Sequence, residues 1–316
     1  MSGRFSPRAR QPQPPTPKFS VRSARKSLVA ITLKDQTMSY LLAFARLLWH
    51  PIYVVTRPFV RALAKIQVGK IRETDLISEQ KNLFHDLGLD WVSANRFVTE
   101  VVGLHRDFKS HRSQHYELVA AIAQTIKPKR ILEIGTADAS FTSFLARVFP
   151  DSLVETIDLP VTDQRFWNAT DEEPRTEKPL TSEFKNELSE LEVRLANLKS
   201  SPNIVFREMN SLGLSLFEEH KFDLIWVDGD HTFPVVACDF VNAVRLLASG
   251  GKIMCDDIYL SDGRKSRWGS HESRKVLTAF ERAKIVRASY VLKSIRPEKN
   301  YSLRVKKHLA VVELIH

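Results

Sequence analysis

Two apolar runs that each end in carboxylates constrain the fold of this chain more than any other feature. They are Phe222–His231, with the sequence FDLIWVDGDH, and Gly250–Ile258, with the sequence GGKIMCDDI. The segment between them, Thr232–Leu247, is predicted to be one helix, because Thr232 can cap its start and Gly250-Gly251 follows its end. A strand, a helix and a second strand in this order form a crossover unit, in which the two strands lie parallel and adjacent.

Three aspartates at the ends of these runs form a candidate site. Asp228 ends the first run, and Asp256 and Asp257 end the second. The carboxyl ends of parallel strands form the ligand crevice of an open α/β sheet, so the three carboxylates are expected to meet there. Their convergence suggests a metal ion. In the alternative interpretation, one of Asp256 and Asp257 caps the following turn and the other is exposed to solvent.

A second landmark lies upstream, where Arg130–Leu145 has the pattern of a strand, a tight turn and a helix, RILEIGTADASFTSFL. Gly135 lets the backbone bend, and the small residues that follow allow a ligand to approach the start of the helix. Leu153–Asp158 is a further apolar strand ending in an acid. Asp158 follows Gly135 at roughly the 20-residue step at which an acid meets ribose hydroxyls in dinucleotide folds. The pattern predicts a site for a nucleotide-like ligand.

These motifs resemble those of the class I S-adenosylmethionine-dependent methyltransferases. Within that superfamily they are most similar to the metal-dependent O-methyltransferases of the macrocin O-methyltransferase-like group, methyltransferase family 24, with catechol O-methyltransferase more distant. The resemblance covers roughly Tyr116–Tyr259. It rests on Glu133-Ile-Gly135, Ile157-Asp158, Asn210-Ser211, Val227–His231, Gly250-Gly251 and Asp256-Asp257.

The resemblance implies a fold and a set of site residues. The fold is α/β, a doubly wound, mostly parallel, seven-stranded Rossmann-like sheet with a basic N-terminal extension. Asn210 stands where relatives commonly have an acid near the adenine, and it can offer an amide to the base. The implied S-adenosylmethionine-binding residues are Glu133, Gly135, Thr136, Asp158, Asn210 and Asp228. The implied metal ligands are Asp228, Asp256 and Asp257.

The chemistry of methyl transfer assigns roles to the remaining groups. A sulfonium donor has a good neutral leaving group, whereas a hydroxyl acceptor is a poor nucleophile until it is deprotonated. A divalent cation on the acceptor oxygen lowers its pKa, and hard oxygen ligands favour Mg²⁺. His231 falls near the catalytic lysine of catechol O-methyltransferase and is the candidate general base. In one alternative, His231 has only a structural role at the helix start, hydrogen-bonded to Asp230. In another, Asp228 itself is the base. The expected acceptor is a small hydroxylated molecule, such as a sugar, a polyketide-like compound or a catechol.

The front of the chain is a basic extension. The whole chain has a formal charge of +10, and Met1–Arg72 alone contains 14 Lys and Arg against Asp35, so the remainder is slightly acidic. Residues 1–34, rich in Pro, Arg and Ser, are predicted to be a disordered basic tail. Residues 35–75 form an apolar and cationic amphipathic segment, too interrupted by charge and proline to span a membrane. Residues 40–70 contact either an anionic membrane surface, the methyltransferase domain or a dimer partner. Residues 76–316 are the methyltransferase domain with its leading helices.

Several smaller predictions complete this interpretation. The two cysteines, Cys238 and Cys255, have no metal or redox spacing and indicate reduced thiols in a cytoplasmic protein. Residues 161–180 are either a lid or an exposed insertion. Residues 285–295 and 301–314 are expected to be the closing strands, one of them antiparallel. A stripe of apolar residues is expected to make the helix before the third strand face the core. The stripe comprises Phe184, Leu188, Leu191, Leu195 and Leu198.

Other classes of function remain open at this point. A nicotinamide-dependent oxidoreductase is disfavoured by the missing Gly-x-Gly-x-x-Gly pattern and by the three strand-end acids. A metal-independent methyltransferase, and a noncatalytic protein whose basic front contacts nucleic acid or membrane, are the alternatives. Nucleic acid is not the expected partner, since no RNA-recognition motif is present. Homo-oligomerisation is left open.

Overall fold

The computed structural model describes residues 68–102, 113–160, 191–260, 272–295 and 306–315, together with 59, 62–63 and 65–66. The predicted disordered tail, residues 1–34, lies outside the described residues. The same holds for the predicted lid or insertion at 161–180.

Seven strands form one sheet in the described part of the chain, in the order β3-β2-β1-β4-β5-β7-β6. The strands are β1 (Arg130–Ile134), β2 (Leu153–Asp158), β3 (Ile204–Glu208), β4 (Phe222–Val227), β5 (Leu247–Ile258), β6 (Val286–Ile295) and β7 (Lys306–Leu314). The helices are α1 (Glu73–Asp86), α2 (Trp91–Val102), α3 (His115–Ala123), α4 (Ser140–Val148), α5 (Val235–Leu246) and α6 (Glu272–Arg282). Residues 191–198 are also helical, and Ser211–Leu216 form a 3-10 helix.

The strand order places a topological switch point beside β1. β1 pairs in parallel with β2 on one side and with β4 on the other, and β4 pairs in parallel with β5. β7 runs antiparallel to both β5 and β6. The predicted doubly wound, mostly parallel, seven-stranded sheet with one antiparallel strand is confirmed. Ligands of such sheets bind where the strand order reverses, which here is the crevice between the carboxyl ends of β1 and β4.

Hydrophobic cores cover both faces of the sheet. Successive residues of a strand point to opposite faces, so neighbouring residues of β4 join different cores. Trp226 packs with Phe84 of α1 and Phe144 of α4 on one face. Ile225 packs with Phe240 of α5 on the other. Burial on both faces explains why the central strands are continuous apolar runs rather than alternating ones.

The helix between the two carboxylate-ended strands is shorter than predicted. It begins at Val235 rather than Thr232, because both the backbone N–H and the hydroxyl of Thr232 donate to Asp230 Oδ1, at 2.8 and 2.7 Å. Thr232 therefore closes a turn instead of capping the helix. Gly250-Gly251 do not end the helix either. They lie inside β5 at a register shift against β4, where Gly250 has a φ of +74°.

The helix before β3 is oriented differently from the prediction. Leu195, expected in a core-facing stripe, has 47% of its surface exposed. Arg194 is buried instead, with 3% exposed. The prediction of a core-facing stripe is wrong at this position, because the buried side of the helix faces a carboxylate as well as the core.

No helix among the described residues is both long enough and apolar enough to cross a membrane.

Candidate active site

The turn after β1 packs directly against the end of β4. Gly135 has a φ of +99°, and its N–H donates to Ile157 O at 3.0 Å. The N–H of Asp228 donates to Ile134 O at 2.9 Å. A side chain at position 135 would place its Cβ 2.7 Å from the carbonyl carbon of Asp228 and 2.9 Å from the nitrogen of Gly229. Only glycine satisfies both the backbone conformation and this close approach.

Asp158 lies at the same turn, as the sequence predicts for the ribose-binding acid. Its Oδ2 accepts the backbone N–H groups of Thr136 and Ala137, at 3.1 and 2.9 Å, and its Oδ1 accepts that of Leu159 at 2.8 Å. Burial raises the pKa of Asp158, although Arg194 and these N–H groups act in the opposite direction. The carboxylate thus holds the turn from the carboxyl end of β2.

Arg194 is the site residue that sequence reasoning missed. Its Nη2 lies 3.7 Å from Asp158 Oδ2, and its guanidinium stacks over the ring of Phe206 at 4.4 Å. Burial lowers the pKa of Arg194, while Asp158 and Glu208 act to raise it. The helical spacing of the leucines predicted that Leu195 faces the core. Nothing in the sequence around Arg194 therefore indicated that the arginine is the buried residue.

Glu133 and Thr136 support the turn from within the protein. Glu133 is buried, and its Oε2 accepts hydrogen bonds from the hydroxyls of Thr142 and Thr156, at 2.5 and 2.6 Å. The Thr156 and Thr136 hydroxyls are 2.7 Å apart. Burial raises the pKa of Glu133 to about 8. Direct contact of either side chain with a methyl donor stays a prediction.

Asn210 also has a local structural role. Its Oδ1 accepts the N–H of Leu212 at 2.9 Å and caps the 3-10 helix Ser211–Leu216. This bond fixes the side-chain amide beside the carboxyl end of β3, where the sequence predicts contact with a base.

His231 pairs with Asp228 rather than with Asp230. His231 Nε2 lies 3.3 Å from Asp228 Oδ1, and its Nδ1 lies 3.5 Å from the hydroxyl of Ser273. Burial opposes protonation of the imidazole, but the bond to Asp228 and the nearby carboxylates raise the pKa of His231 overall. Asp230 instead accepts hydrogen bonds from the backbone N–H and the hydroxyl of Thr232. An imidazole oriented by a carboxylate is an arrangement that can accept and stabilise a proton.

A bulge in β5 aims Asp256 and Asp257 at the same neighbours. The register between β5 and β7 shifts between Cys255 and Ile258, and Asp257 adopts a φ of +53°. In a regular strand, two successive side chains would point to opposite faces of the sheet. The bulge removes that alternation, so both carboxylates lie on one cluster of charges.

A bulge in β6 supplies the opposite charge. Leu292 pairs with His308 and Ser294 pairs with Lys307, so Lys293 is the extra residue in β6. Its ammonium therefore lies between the two aspartates of β5, and Lys307 reaches the same cluster from β7.

These two lysines occupy the carboxylates that were predicted to bind a metal ion. Lys293 Nζ lies 2.5 Å from Asp256 Oδ2 and 2.6 Å from Asp257 Oδ1, and Lys307 Nζ lies 2.8 Å from Asp257 Oδ2. The remaining oxygen, Asp256 Oδ1, accepts the N–H of Asp257 at 2.7 Å.

The charges of this cluster depend on one another. Burial and the neighbouring Asp228 raise the pKa of Asp256 to about 7. Although burial acts against it, the two ammonium groups lower the pKa of Asp257. The pKa of Lys293 is raised by Asp256 and Asp257 despite the opposing effect of burial, so Lys293 stays charged.

The cluster does not fit the predicted Mg²⁺ site. A dication would have to displace two ammonium groups or share their oxygen atoms, and Asp228 is already paired with His231. Among the described residues, no group of three or more His, Cys, Asp or Glu side chains is arranged to hold a metal ion.

The segment that carries this crevice matches a known family model. Residues 132–258, from β1 to the end of β5, match the model of methyltransferase family 24, described as a methyltransferase domain. This part of the chain is a methyltransferase domain. The match confirms the resemblance to class I S-adenosylmethionine-dependent methyltransferases and the prediction that the protein is a methyltransferase. No curated protein gives a significant match to the chain.

Solved structures similar to this methyltransferase are distant in sequence. A cofactor-bound protein from MTB is 18% identical over 71% of this chain and 89% of its own, with a TM-score of 0.46. An O-methyltransferase from Bacillus cereus, solved with SAH, is 16% identical over 71% of this chain and 98% of its own, with a TM-score of 0.45. The O-methyltransferase TomG from Streptomyces achromogenes, solved with SAM, is 17% identical over 78% of this chain and 100% of its own, with a TM-score of 0.44.

Proposed function

We propose that this methyltransferase transfers the methyl group of S-adenosylmethionine to a hydroxyl oxygen of a small molecule. The observation that carries the proposal is the His231–Asp228 pair, which lies at the end of β4 beside the Gly135 turn. A hydroxyl acceptor requires removal of its proton, and a carboxylate-oriented imidazole can supply that step. The acceptor class is a sugar, a polyketide-like compound or a catechol.

The donor is proposed to bind across the carboxyl ends of β1 and β2. Asp158 offers its remaining acceptor capacity to the ribose hydroxyls, and Asn210 offers its amide to the adenine. Gly135 and Thr136 contribute a closely approachable backbone at the start of the turn. Glu133 sets the shape of this turn through its hydrogen bonds to threonine hydroxyls.

The reaction uses His231 as the base. His231 takes the acceptor's hydroxyl proton while Asp228 Oδ1 stays 3.3 Å from its Nε2. The oxygen attacks the methyl carbon of the sulfonium, a C–O bond forms, and the C–S electron pair returns to sulfur as S-adenosylhomocysteine leaves. Asp228 stabilises the resulting imidazolium. Since the carboxylate cluster does not fit Mg²⁺, no step depends on a metal ion.

Calorimetry and methyl-transfer assays test this proposal together. We expect the full chain to bind S-adenosylhomocysteine and to methylate at least one member of a panel of catechols, phenolic polyketides and sugars. His231→Gln should keep product binding and lose about 10²-fold or more in kcat. His85→Gln, on the exposed surface of α1, is the matched control and should retain wild-type rates.

Two results would count against the proposal in different ways. Absence of S-adenosylhomocysteine binding would favour a noncatalytic protein that retains the fold. Full activity of His231→Gln would remove His231 as the base and leave Asp228 as the alternative.

We also propose that the segment before α1 contacts an anionic membrane surface. The described residues between 59 and 70 are helical, and Phe59, Leu63 and Ile66 are 68%, 40% and 55% exposed. Their spacing puts them on one face of a helix, beside the basic residues of the same segment. A cytoplasmic location and homo-oligomerisation stay predictions.

A further inference from the structure

We infer that Lys293 and Lys307 replace the divalent cation in this methyltransferase, so that Asp256 and Asp257 bind ammonium groups and the site takes up no Mg²⁺. The inference concerns the charge cluster itself and does not depend on the identity of the acceptor. It separates this chain from the metal-dependent O-methyltransferases that its motifs resemble.

The backbone is shaped to make these ammonium contacts. Two bulges lie in the sheet at the cluster, one containing Asp256 and Asp257 and one containing Lys293. Without the first bulge, the two carboxylates would face opposite sides of the sheet. Without the second, β6 would have no extra residue at position 293 and the Lys293 ammonium would not lie between the two carboxylates. Bulges interrupt strand pairing, so their coincidence at one charge cluster indicates a specific arrangement rather than a chance surface contact.

Burial makes the contacts strong and selective. Lys293, Lys307 and Asp256 are each exposed over less than a tenth of their surface. A buried ammonium remains charged only with close partners, and here each lysine has a carboxylate oxygen within 2.8 Å. Removing either charge from the cluster leaves the opposite charges uncompensated. A dication added to the intact cluster would lie among positive charges that already neutralise its ligands.

The replacement also has a chemical consequence. A metal ion fixes the carboxylates and adds positive charge near the acceptor oxygen, whereas here the two ammonium groups fix the carboxylates. Lys293 and Lys307 are therefore positioning residues, and deprotonation of the acceptor is left to the His231–Asp228 pair.

Electron paramagnetic resonance of Mn²⁺ tests this inference on the full chain. The wild-type protein should leave the free Mn²⁺ signal unchanged at millimolar concentration, with and without S-adenosylhomocysteine. Lys293→Met/Lys307→Met should expose the carboxylates and bind Mn²⁺ at least tenfold more tightly than wild type. Adding Asp256→Asn/Asp257→Asn to that variant should abolish the new binding. Lys252→Met/Lys306→Met, which removes lysine–carboxylate pairs elsewhere, is the control and should bind no Mn²⁺.

Two outcomes would overturn the inference. Stoichiometric Mn²⁺ binding by wild type, lost in Asp256→Asn/Asp257→Asn, would mean that the metal displaces the lysines. A folded Lys293→Met/Lys307→Met protein without a Mn²⁺ site would mean that the lysines are not what excludes the cation. If that variant does not fold, as judged by circular dichroism, the wild-type protein and the Asp256→Asn/Asp257→Asn variant decide the question. Failure to bind S-adenosylhomocysteine would bear on the proposed function and leave this result intact.

Discussion

At the scale of single residues, Gly135 is the point of contact between the turn after β1 and the carboxyl end of β4. It belongs to the turn after β1, and the space that a side chain would need is occupied by the backbone of Asp228 and Gly229. The position is therefore constrained by a contact with another strand as well as by its own φ. This contact holds the turn after β1 at a fixed separation from Asp228.

Gly135→Ala is expected to destabilise the protein by about 1–3 kcal/mol and to weaken S-adenosylhomocysteine binding, because β1 and β4 must move apart. Urea unfolding and calorimetry measure the two effects. Gly69→Ala is the matched control, since a Cβ there meets nothing within 4 Å, and it should be neutral or slightly stabilising. Equal stability of the two variants would refute the packing argument.

Glu133 gives a prediction about pH. Its folded-state pKa of about 8 lies above the ordinary value of 4.5, so the folded state holds its proton more tightly than the unfolded state. This contribution to stability is complete below pH 4.5 and is lost as the pH rises towards 8. The Glu133→Gln variant has no ionisable group at this position, so its stability lacks this dependence on pH.

We therefore expect the free energy of unfolding of Glu133→Gln, relative to wild type, to increase between pH 5 and pH 8. Urea titrations across that range measure the difference. Glu192→Gln, on an exposed position, controls for the loss of a negative charge. Curves for wild type and Glu133→Gln that stay parallel across the range would show that Glu133 is ionised in the folded protein.

At the scale of elements, α1 protects the edge of the sheet. β6 is an edge strand, and Gln80 of α1 bonds both backbone groups of Leu292 at 2.8 Å, donating to its carbonyl and accepting its N–H. The N–H of Gln114 donates to the carbonyl of Lys293 at 2.9 Å. A buried side-chain amide thus takes the place of a neighbouring strand beside the Lys293 bulge.

Gln80→Ala should destabilise the protein by roughly 1–3 kcal/mol or more, because two buried backbone groups lose their partners. Amide hydrogen exchange at Leu292 should be faster in this variant than in wild type. Gln124→Ala, at the exposed end of α3, is the control. A Gln80→Ala protein as stable as this control would mean that β6 does not depend on α1 for its edge.

At the scale of the whole molecule, an exposed apolar face precedes a methyltransferase domain whose formal net charge is slightly negative. Phe59, Leu63 and Ile66 lie outside both cores of the domain. The net positive charge of the chain lies in the same front region, where acids are nearly absent. This combination favours binding to an anionic surface.

Sedimentation with vesicles of phosphatidylcholine and phosphatidylserine tests this binding. Phe59→Ser/Leu63→Ser/Ile66→Ser should reduce the bound fraction by about tenfold, and salt should weaken wild-type binding. Val92→Ser/Phe97→Ser, which changes exposed apolar residues of α2, is the control. Unchanged vesicle binding by the triple variant would exclude this face as the contact, and loss of a dimer in that variant would instead assign the face to a second copy of the chain.

The sequence alone determined the sheet and the location of the crevice. Apolar runs, the Gly135 turn and the acids at strand ends are local patterns, and the crossover rule converts them into parallel neighbours. The position of Asp158 at the turn followed from the same logic, whereas the packing of Gly135 against Asp228 was not predicted. These features need only short stretches of chain.

Only the tertiary structure decided which charges meet. Lys293 and Lys307 lie 36 and 50 residues beyond Asp257, and they reach it through two bulges in strand register. Arg194 likewise reaches Asp158 because its helix turns away from the orientation that its leucines predict. Strand register and helix rotation depend on the packing of distant segments, so a pattern of carboxylates typical of a metal site carries no information about the lysines that neutralise it.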